Sequence, residues 1–238
     1  MSTLTDHAFN LQTALASVKQ RIAGFERKYA REPGSVQLLA VSKTQTPERV
    51  RAACALGQRL FAENYLQEAL AKMQALADCT IEWHFIGPIQ SNKTRDLAHS
   101  FDWVHSIDRL KIAQRLNEQR PLERGPLKVL IQVNLSDEDS KSGVALIEVP
   151  ALAQAIAALP QLQLCGLMAI PAPASDMARQ RQVFRQLALT RDQLLVAGHR
   201  FCRELSMGMS SDFEAAIAEG ATMVRIGTDI FGARVTMP

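Results

Sequence analysis

The sequence predicts an α/β protein, a single (β/α)8 TIM barrel with an extra N-terminal helix. Eight short apolar runs alternate along the chain with segments of 3.6-residue periodicity, and this alternation is typical of βαβ units in a parallel sheet. Several runs are apolar at consecutive positions, as in strands covered on both faces. The turn after the first run, SKTQTPE, contains no glycine, whereas an open doubly wound sheet usually has a glycine-rich turn there. These observations favour a closed barrel over an open sheet.

The predicted elements follow one another without a linker or a change in composition, so residues 1–238 form one predicted domain. An amphipathic helix at about residues 5–30 comes first and is followed by the turn REPGS. The strand candidates are, in chain order, VQLLAVSK, RLFAENY, IEWHFIG, FDWVHSID, LKVLIQVNL, LQLCGLMAI, RELSMG and TMVRIG. The eighth strand ends near Thr228. We therefore expect the N-terminal helix to occupy the place in the outer ring that a helix after strand eight normally fills.

Composition excludes several classes of function. The chain has 27 basic and 24 acidic side chains, and a net charge of +3 is too small and dispersed to indicate a nucleic acid or a membrane surface as partner. No apolar run approaches the ~20 residues that span a bilayer, and the first helix is not a signal peptide, so we expect a cytoplasmic protein.

The run DEDS at 137–140 lacks the spacing of a calcium loop. Neither a disulfide framework nor a zinc site is predicted, because the cysteines are far apart: Cys54, Cys79, Cys165 and Cys202.

Candidate binding residues stand at the ends of strands one, seven and eight, where active sites of this fold lie. Lys43 follows the first apolar run directly. Ser210 lies among small residues in the loop SMGMSSD, and Gly227 and Thr228 follow strand eight. Hydroxyls and free N–H groups before a helix favour a phosphate, and barrels often bind phosphate with the loops after strands seven and eight. The sequence therefore predicts a phosphate site there, with an ordinary capped turn as the alternative.

The helix after strand seven has its own start signal. Ser211 and Glu214 have the S-x-x-E spacing of a capping box. This spacing predicts that the Ser211 side chain caps the helix.

Arg225 is the one charged residue in the otherwise apolar run MVRIG. Strand alternation places Met223, Arg225 and Gly227 on one face, so a ligand beside Gly227 would have Arg225 one layer deeper. A buried guanidinium is costly without a partner. The alternative to a ligand is a structural ion pair inside the barrel, for instance with Glu63.

A lysine suited to Schiff-base chemistry, a phosphate site and an inward arginine together describe a pyridoxal 5'-phosphate site. Arginine only donates hydrogen bonds, so it would leave the pyridine nitrogen unprotonated. Asn64 either lines this cofactor or caps the second helix. His84 lies inside an apolar strand, which favours a core histidine over an acid–base group.

The chain resembles the pyridoxal phosphate homeostasis proteins, also called proline synthetase co-transcribed homologues, over nearly its whole length. The resemblance rests on LLAVSKTQ, FAENYLQEA, WHFIGPIQSNK, VNLSDEDSKSGV, GLMAI and ELSMGMSSDFEAAIAEGATMVRIGTDIFGAR, in this order. Such proteins are similar to the barrel domain of alanine racemase and of bacterial-type ornithine decarboxylase. The resemblance implies a covalent Schiff base on Lys43, phosphate contacts from Ser210, Gly227 and Thr228, and Arg225 facing the pyridine nitrogen. It also implies a role in handling free cofactor and balancing amino- and keto-acid pools, without established turnover.

Three functions stay open at this point. The favoured one is a monomeric carrier that binds pyridoxal phosphate, has no catalytic residue, and hands the cofactor to apo-enzymes that depend on it. The second is a pyridoxal phosphate-dependent amino-acid racemase. Racemases complete their site with a β-rich domain that we do not expect here, and neither Tyr29 nor Tyr65 is an evident second base opposite Lys43. The third is a barrel that binds another phosphorylated metabolite without covalent attachment.

Overall fold

A computed structural model describes residues 10–135 and 142–232, and these residues form a closed parallel barrel surrounded by helices. Each strand pairs with the next one along the chain, and β8 pairs with β1. The strands are β1 Gln37–Val41, β2 Leu60–Glu63, β3 Glu82–Phe85, β4 Trp103–Ile107, β5 Leu127–Val133, β6 Leu162–Ala169, β7 Glu204–Ser206 and β8 Met223–Ile226. Each predicted apolar run contains one of these strands, so the predicted fold class is confirmed.

Helices connect the strands and form the outer ring. They are α1 Leu11–Lys28, α2 Pro47–Ala55, α3 Leu66–Ala75, α4 Thr94–Ser100, α5 Leu110–Gln119, α6 Val149–Ala157, α7 Met177–Val196, α8 Phe213–Ala218 and α9 Thr228–Phe231. Short 3-10 turns at Ser91–Lys93, Leu122–Arg124 and Leu146–Glu148 precede α4, β5 and α6. The run at 137–140 lies outside the described residues.

Side chains along the strands alternate between two apolar layers. The larger layer lies between the strands and the helices and includes Phe61, Phe85 and Val224. The barrel interior is filled by Leu39, Val41, Ala62, Ile86, Trp103, Leu130, Cys165, Met168 and Met223. The strand alternation also places five buried polar residues in this interior: His84, His105, Gln132, Ser206 and Arg225.

The helix α1 closes the outer ring by packing against α8, α9 and α2. Its last turn is anchored where Lys28 Nζ and Tyr29 Oη donate to Glu214 Oε1 at 2.7 Å and 3.0 Å. After β8 only the single turn α9 follows within the described part of the chain. The expectation that α1 takes the place of a full eighth helix is therefore confirmed. Its N-cap is Asn10, whose Oδ1 accepts from Thr13 N, and the predicted start near residue 5 lies outside the described residues.

Within residues 10–135 and 142–232, none of the helices combines the length and the apolar character needed to cross a bilayer.

Candidate functional site

Strand register brings three of the predicted site residues to one edge of the barrel. Val41 pairs with Ala62 in β2, and Ala40 pairs with Ile226 in β8. One or two residues after these paired positions come Lys43, Asn64 and Gly227. All three therefore lie just beyond the carboxyl ends of neighbouring strands. Lys43 is partly buried and lies two residues beyond Val41, whose side chain is in the barrel interior.

The backbone on both sides of Lys43 is held by a buried charged network. Ser42 Oγ donates to Glu63 Oε1 at 2.6 Å, and Lys72 Nζ donates to Glu63 Oε1 at 2.7 Å and to Ser42 O at 2.5 Å. On the other side, Thr44 N donates to Glu68 Oε1 at 2.5 Å, and Glu68 accepts from Lys72 as well. The turn between β1 and α2 is thus fixed before and after the lysine.

Thr44 adopts a left-handed backbone conformation with φ of 64°. A β-branched residue rarely takes this conformation, because its side chain crowds the backbone there. Backbone strain of this kind is typical of functional loops. Here the hydrogen bond from Thr44 N to Glu68 Oε1 offsets it.

Glu63 lies on the outer face of β2, in the same alternation as Phe61, and not in the barrel interior. The suggested ion pair between Glu63 and Arg225 is therefore wrong, because the two side chains lie on opposite faces of the barrel wall and Glu63 pairs with Lys72. Burial raises the pKa of Glu63, and Lys72 and Ser42 partly oppose this effect. Glu63 Oε2 is buried and has no hydrogen-bond partner among the described residues.

Asn64 is in close contact with the loop after β3. A Cβ atom on Gly87 would lie 2.0 Å from Asn64 O, so only glycine fits there. Asn64 Oδ1 is buried and lacks a hydrogen-bond partner in the described part of the chain, which is costly unless a ligand donates to it. The alternative of a helix cap is wrong, since α3 has Tyr65 at its N-cap and no side-chain cap bond.

The loop after β7 differs in one respect from the prediction. The capping box of Ser211 and Glu214 is wrong, because α8 starts at Phe213 with Asp212 at the N-cap. Asp212 Oδ1 accepts from Met209 N at 2.6 Å, so this carboxylate orders the loop that carries Ser210. Glu214 does not reach back to the helix start, because it is bonded to α1.

Glycines let the loops after β7 and β8 pack closely. Gly208 has φ of 94°, and a Cβ there would lie 2.6 Å from Ala216 Cβ. A Cβ on Gly227 would lie 3.2 Å from Val41 O, so β8 and β1 meet tightly beside the lysine turn. Gly227 is the N-cap of α9, and Thr228 is its exposed first residue.

Arg225 points into the barrel, as the strand alternation predicts, and is 3% exposed. Its Nη1 donates to Ser206 O at 2.5 Å and to Ser206 Oγ at 2.9 Å, and its Nη2 donates to Ala169 O at 2.9 Å. Burial lowers the pKa of Arg225 to about 10. No carboxylate of the described residues lies within ion-pair distance of this guanidinium. Its partners are neutral acceptors, and they use only part of its five N–H groups.

Two further polar residues of the interior, Ser206 and His105, stand near strand ends in the sequence but received no role there. Ser206 Oγ lies 2.9 Å from His105 Nδ1, and His105 Nε2 lies 2.9 Å from His84 Nδ1. Both rings are fully buried, and burial lowers the pKa of each. The prediction that His84 is a core histidine is confirmed. His105 could have been found from its position, since it shares the interior face of β4 with Trp103.

Comparison with known proteins shows the family of this chain. Residues 14–235 match the family model described as "Alanine racemase, N-terminal domain". The chain is 54% identical over 234 residues to the pyridoxal phosphate homeostasis protein of Pseudomonas aeruginosa, covering 98% of this chain and 97% of that protein. It is also 54% identical over 223 residues to the protein of the same name from Escherichia coli K12, covering 92% and 95%. The chain belongs to the pyridoxal phosphate homeostasis protein family.

Solved structures of the family and of its distant relatives share the barrel. PipY of Synechococcus elongatus PCC7942, a structure with PLP bound, is 38% identical with a TM-score of 0.80, covering 94% of this chain and all of PipY. Alanine racemase of Corynebacterium glutamicum is 18% identical with a TM-score of 0.69, covering 95% of this chain and 64% of the racemase. The second comparison shows a common fold only.

Proposed function

We propose that this protein binds pyridoxal 5'-phosphate through a covalent Schiff base on Lys43 and serves intracellular homeostasis of the cofactor. The observation that carries the proposal is the convergence of Lys43, Asn64 and Gly227 at one barrel edge above a buried Arg225. The PLP-bound structure of PipY, at 38% identity, supports the same ligand.

The described residues fit this cofactor in charge and in hydrogen-bonding capacity. The buried Asn64 Oδ1 has an acceptor position to fill, and Arg225 retains N–H groups beyond those bonded to Ser206 and Ala169. Ser210, Gly227 and Thr228 would hold the phosphate with hydroxyl and backbone N–H groups. Pyridoxal phosphate would supply an aldehyde able to form a Schiff base with an amine, and the network around Ser42 and Thr44 would hold the backbone of Lys43 in place for it.

Arg225 would face the ring nitrogen and donate a hydrogen bond to it. An arginine does not transfer a proton to pyridine at neutral pH, so Arg225 would leave the ring a weak electron sink. We further propose that the protein acts as a monomer in the cytoplasm, passes its cofactor to apo-enzymes, and has no appreciable turnover. The free thiols of Cys54, Cys79, Cys165 and Cys202 suit a reducing compartment.

Borohydride labelling tests the proposal. Purified protein should be yellow, and reduction should fix the chromophore on Lys43 in a peptide map. Lys43→Ala should lose the visible band and remain folded, whereas Lys111→Ala, an exposed lysine on α5, should keep it. A label found mainly on Lys93 or Lys141 would contradict the assignment. A colourless protein that binds phosphorylated metabolites reversibly would support the third function considered above.

Transfer separates a carrier from a racemase. Loaded protein is mixed with an apo-enzyme that needs the cofactor, and in parallel with L-amino acids whose optical rotation is followed. We expect reactivation of the apo-enzyme faster than spontaneous release and constant rotation. Racemisation that disappears in Lys43→Ala, without accelerated transfer, would establish the enzyme instead.

A further inference from the structure

A line of polar side chains crosses the mostly apolar barrel interior. It runs from Glu82 at the start of β3 through His84, His105 and Ser206 to Arg225 near the carboxyl end of β8. His84, His105 and Ser206 are fully buried. The three hydrogen bonds that join His84 to His105, His105 to Ser206 and Ser206 to Arg225 are each 2.9 Å long.

The chemistry of the two ends dictates the direction of every bond between them. Arg225 is only a donor, so Ser206 Oγ accepts from it, but a hydroxyl can accept a second bond, so this end alone does not fix the next bond. The Glu82 end fixes it, because His84 Nε2 faces the Glu82 carboxylate at 3.3 Å, which favours the His84 proton on Nε2. His84 Nδ1 then accepts from His105 Nε2, and a neutral His105 accepts at Nδ1 from Ser206 Oγ. The contact between His84 and Glu82 is close and polar but is not aligned as a hydrogen bond.

Charges at both ends stabilise this arrangement. The contact with His84 lowers the pKa of Glu82, which keeps the carboxylate ionised, and Trp103 Nε1 donates to the same oxygen at 2.6 Å. Lys128 lies near Glu82, with its ammonium over the Trp103 ring. Burial, the largest effect, lowers the pKa of His84, Lys128 acts in the same direction, and Glu82 and Asp102 raise it, so burial keeps this ring neutral. At the other end, Arg225 repels a proton on His105. If both rings were doubly protonated, two N–H groups would face each other between His84 and His105.

We propose that Glu82, His84, His105 and Ser206 form a one-way hydrogen-bond chain that positions the Arg225 guanidinium for the ring nitrogen of the ligand. The chain holds both histidines as neutral Nε2–H tautomers. It makes Ser206 Oγ an obligatory acceptor for Arg225, because its proton is already committed to His105. These four side chains do not contact the ligand and act on it only through Arg225, so they are positioning residues. The role of Arg225 rests on the proposed function, but the tautomers do not.

The tautomers are measured in the ligand-free protein. Long-range proton–nitrogen correlation spectra of 15N-labelled protein should show His84 and His105 with the proton on Nε2 at pH 7. A proton on His105 Nδ1, or a doubly protonated ring at either position, would overturn the chain. In Ser206→Ala the His105 signals should shift strongly. Ser106→Ala is the matched control, because Ser106 is an equally buried serine on β4 that donates to Gly87 O outside the chain.

Ligand binding tests the positioning. Ser206→Ala should weaken binding of pyridoxal phosphate about tenfold, as expected when a charged donor loses one acceptor, and should leave the affinity for an analogue with carbon in place of the ring nitrogen unchanged. Ser106→Ala should change neither affinity. Equal losses for both ligands in Ser206→Ala would refute the positioning role. If the unaltered protein binds no pyridoxal phosphate, the proposed function fails, and the tautomers still decide whether the chain exists.

Discussion

Replacing Lys72 with methionine should destabilise the protein by about 3–4 kcal/mol at pH 7. The side chains of Lys72 and Glu63 are 3% and 0% exposed, and breaking such a buried pair by removing one partner costs about 3–5 kcal/mol. Glu63 can limit the loss by taking up a proton. From an unfolded pKa of about 4.3, protonation at pH 7 costs about 2.7 units × 1.36, or roughly 3.7 kcal/mol. In the variant, Glu63 either stays ionised without a partner or takes up a proton. The smaller of these two costs is the expected loss in the free energy of unfolding.

The same reasoning fixes how this loss depends on pH. In Lys72→Met the folded state would hold a proton on Glu63 that the unfolded state lacks above about pH 4.3. The folded state then binds more protons, so its stability falls as the pH rises and recovers as the pH falls. The deficit relative to the unaltered protein should shrink by about 1.4 kcal/mol per pH unit from pH 7 towards pH 5.

Urea unfolding followed by the fluorescence of Trp83 and Trp103 measures these free energies. Lys111→Met is the control for a surface lysine, and it should change the free energy of unfolding by less than about 0.5 kcal/mol. The double variant Glu63→Gln with Lys72→Met should recover most of the loss, because no buried charge remains. A loss below about 1 kcal/mol in Lys72→Met, or one that is constant between pH 7 and pH 5, would refute an ionised Glu63 paired with Lys72.

Two further predictions concern the ligand site and the barrel interior. Ser210→Asp should place a negative charge against the phosphate and weaken binding of pyridoxal phosphate by at least about tenfold. Binding of pyridoxal, which has no phosphate, should not change. Equal losses in titrations of both ligands would place the phosphate elsewhere. The free energy of unfolding should fall as the pH drops from about 6.5 to 5. The cause is that His84 and His105, whose pKa is lowered in the folded state, become protonated in the unfolded state first. Each histidine contributes up to about 1.4 kcal/mol per pH unit. His105→Leu should halve this slope in urea titrations, and an unchanged slope would contradict the burial of His105 as a neutral ring.

The sequence was sufficient for the barrel because its evidence is local. Each strand appears as an apolar run and each helix as a periodic segment, and alternation within MVRIG correctly turned Arg225 inward. Lys43, Gly227 and Thr228 could be placed at the carboxyl ends of the strands for the same reason.

Contacts between distant elements could not be predicted in this way. Alternation tells which residues of one strand share a face, but it does not tell which side chain lies across the barrel, so the bond between His105 and Ser206 was missed. Glu63 was considered a partner for Arg225, although its outward face and the lysine nine positions later on α3 decide against it. The capping box failed because Glu214 has better partners on α1, which local spacing does not reveal.

The seam between β8 and β1 has a consequence for the order of folding. Lys28 and Glu214, which join α1 to α8 beside this seam, are 186 positions apart, so the ring closes only after nearly the whole chain has been synthesised. Lys43 and Gly227 follow the two strands of this seam, and a ligand held between them would bind the closed ring and not a partly formed one. Binding would therefore add to the stability of closure by RT ln(1 + [L]/Kd), so the level of free ligand during synthesis would influence how much of this protein reaches its closed form.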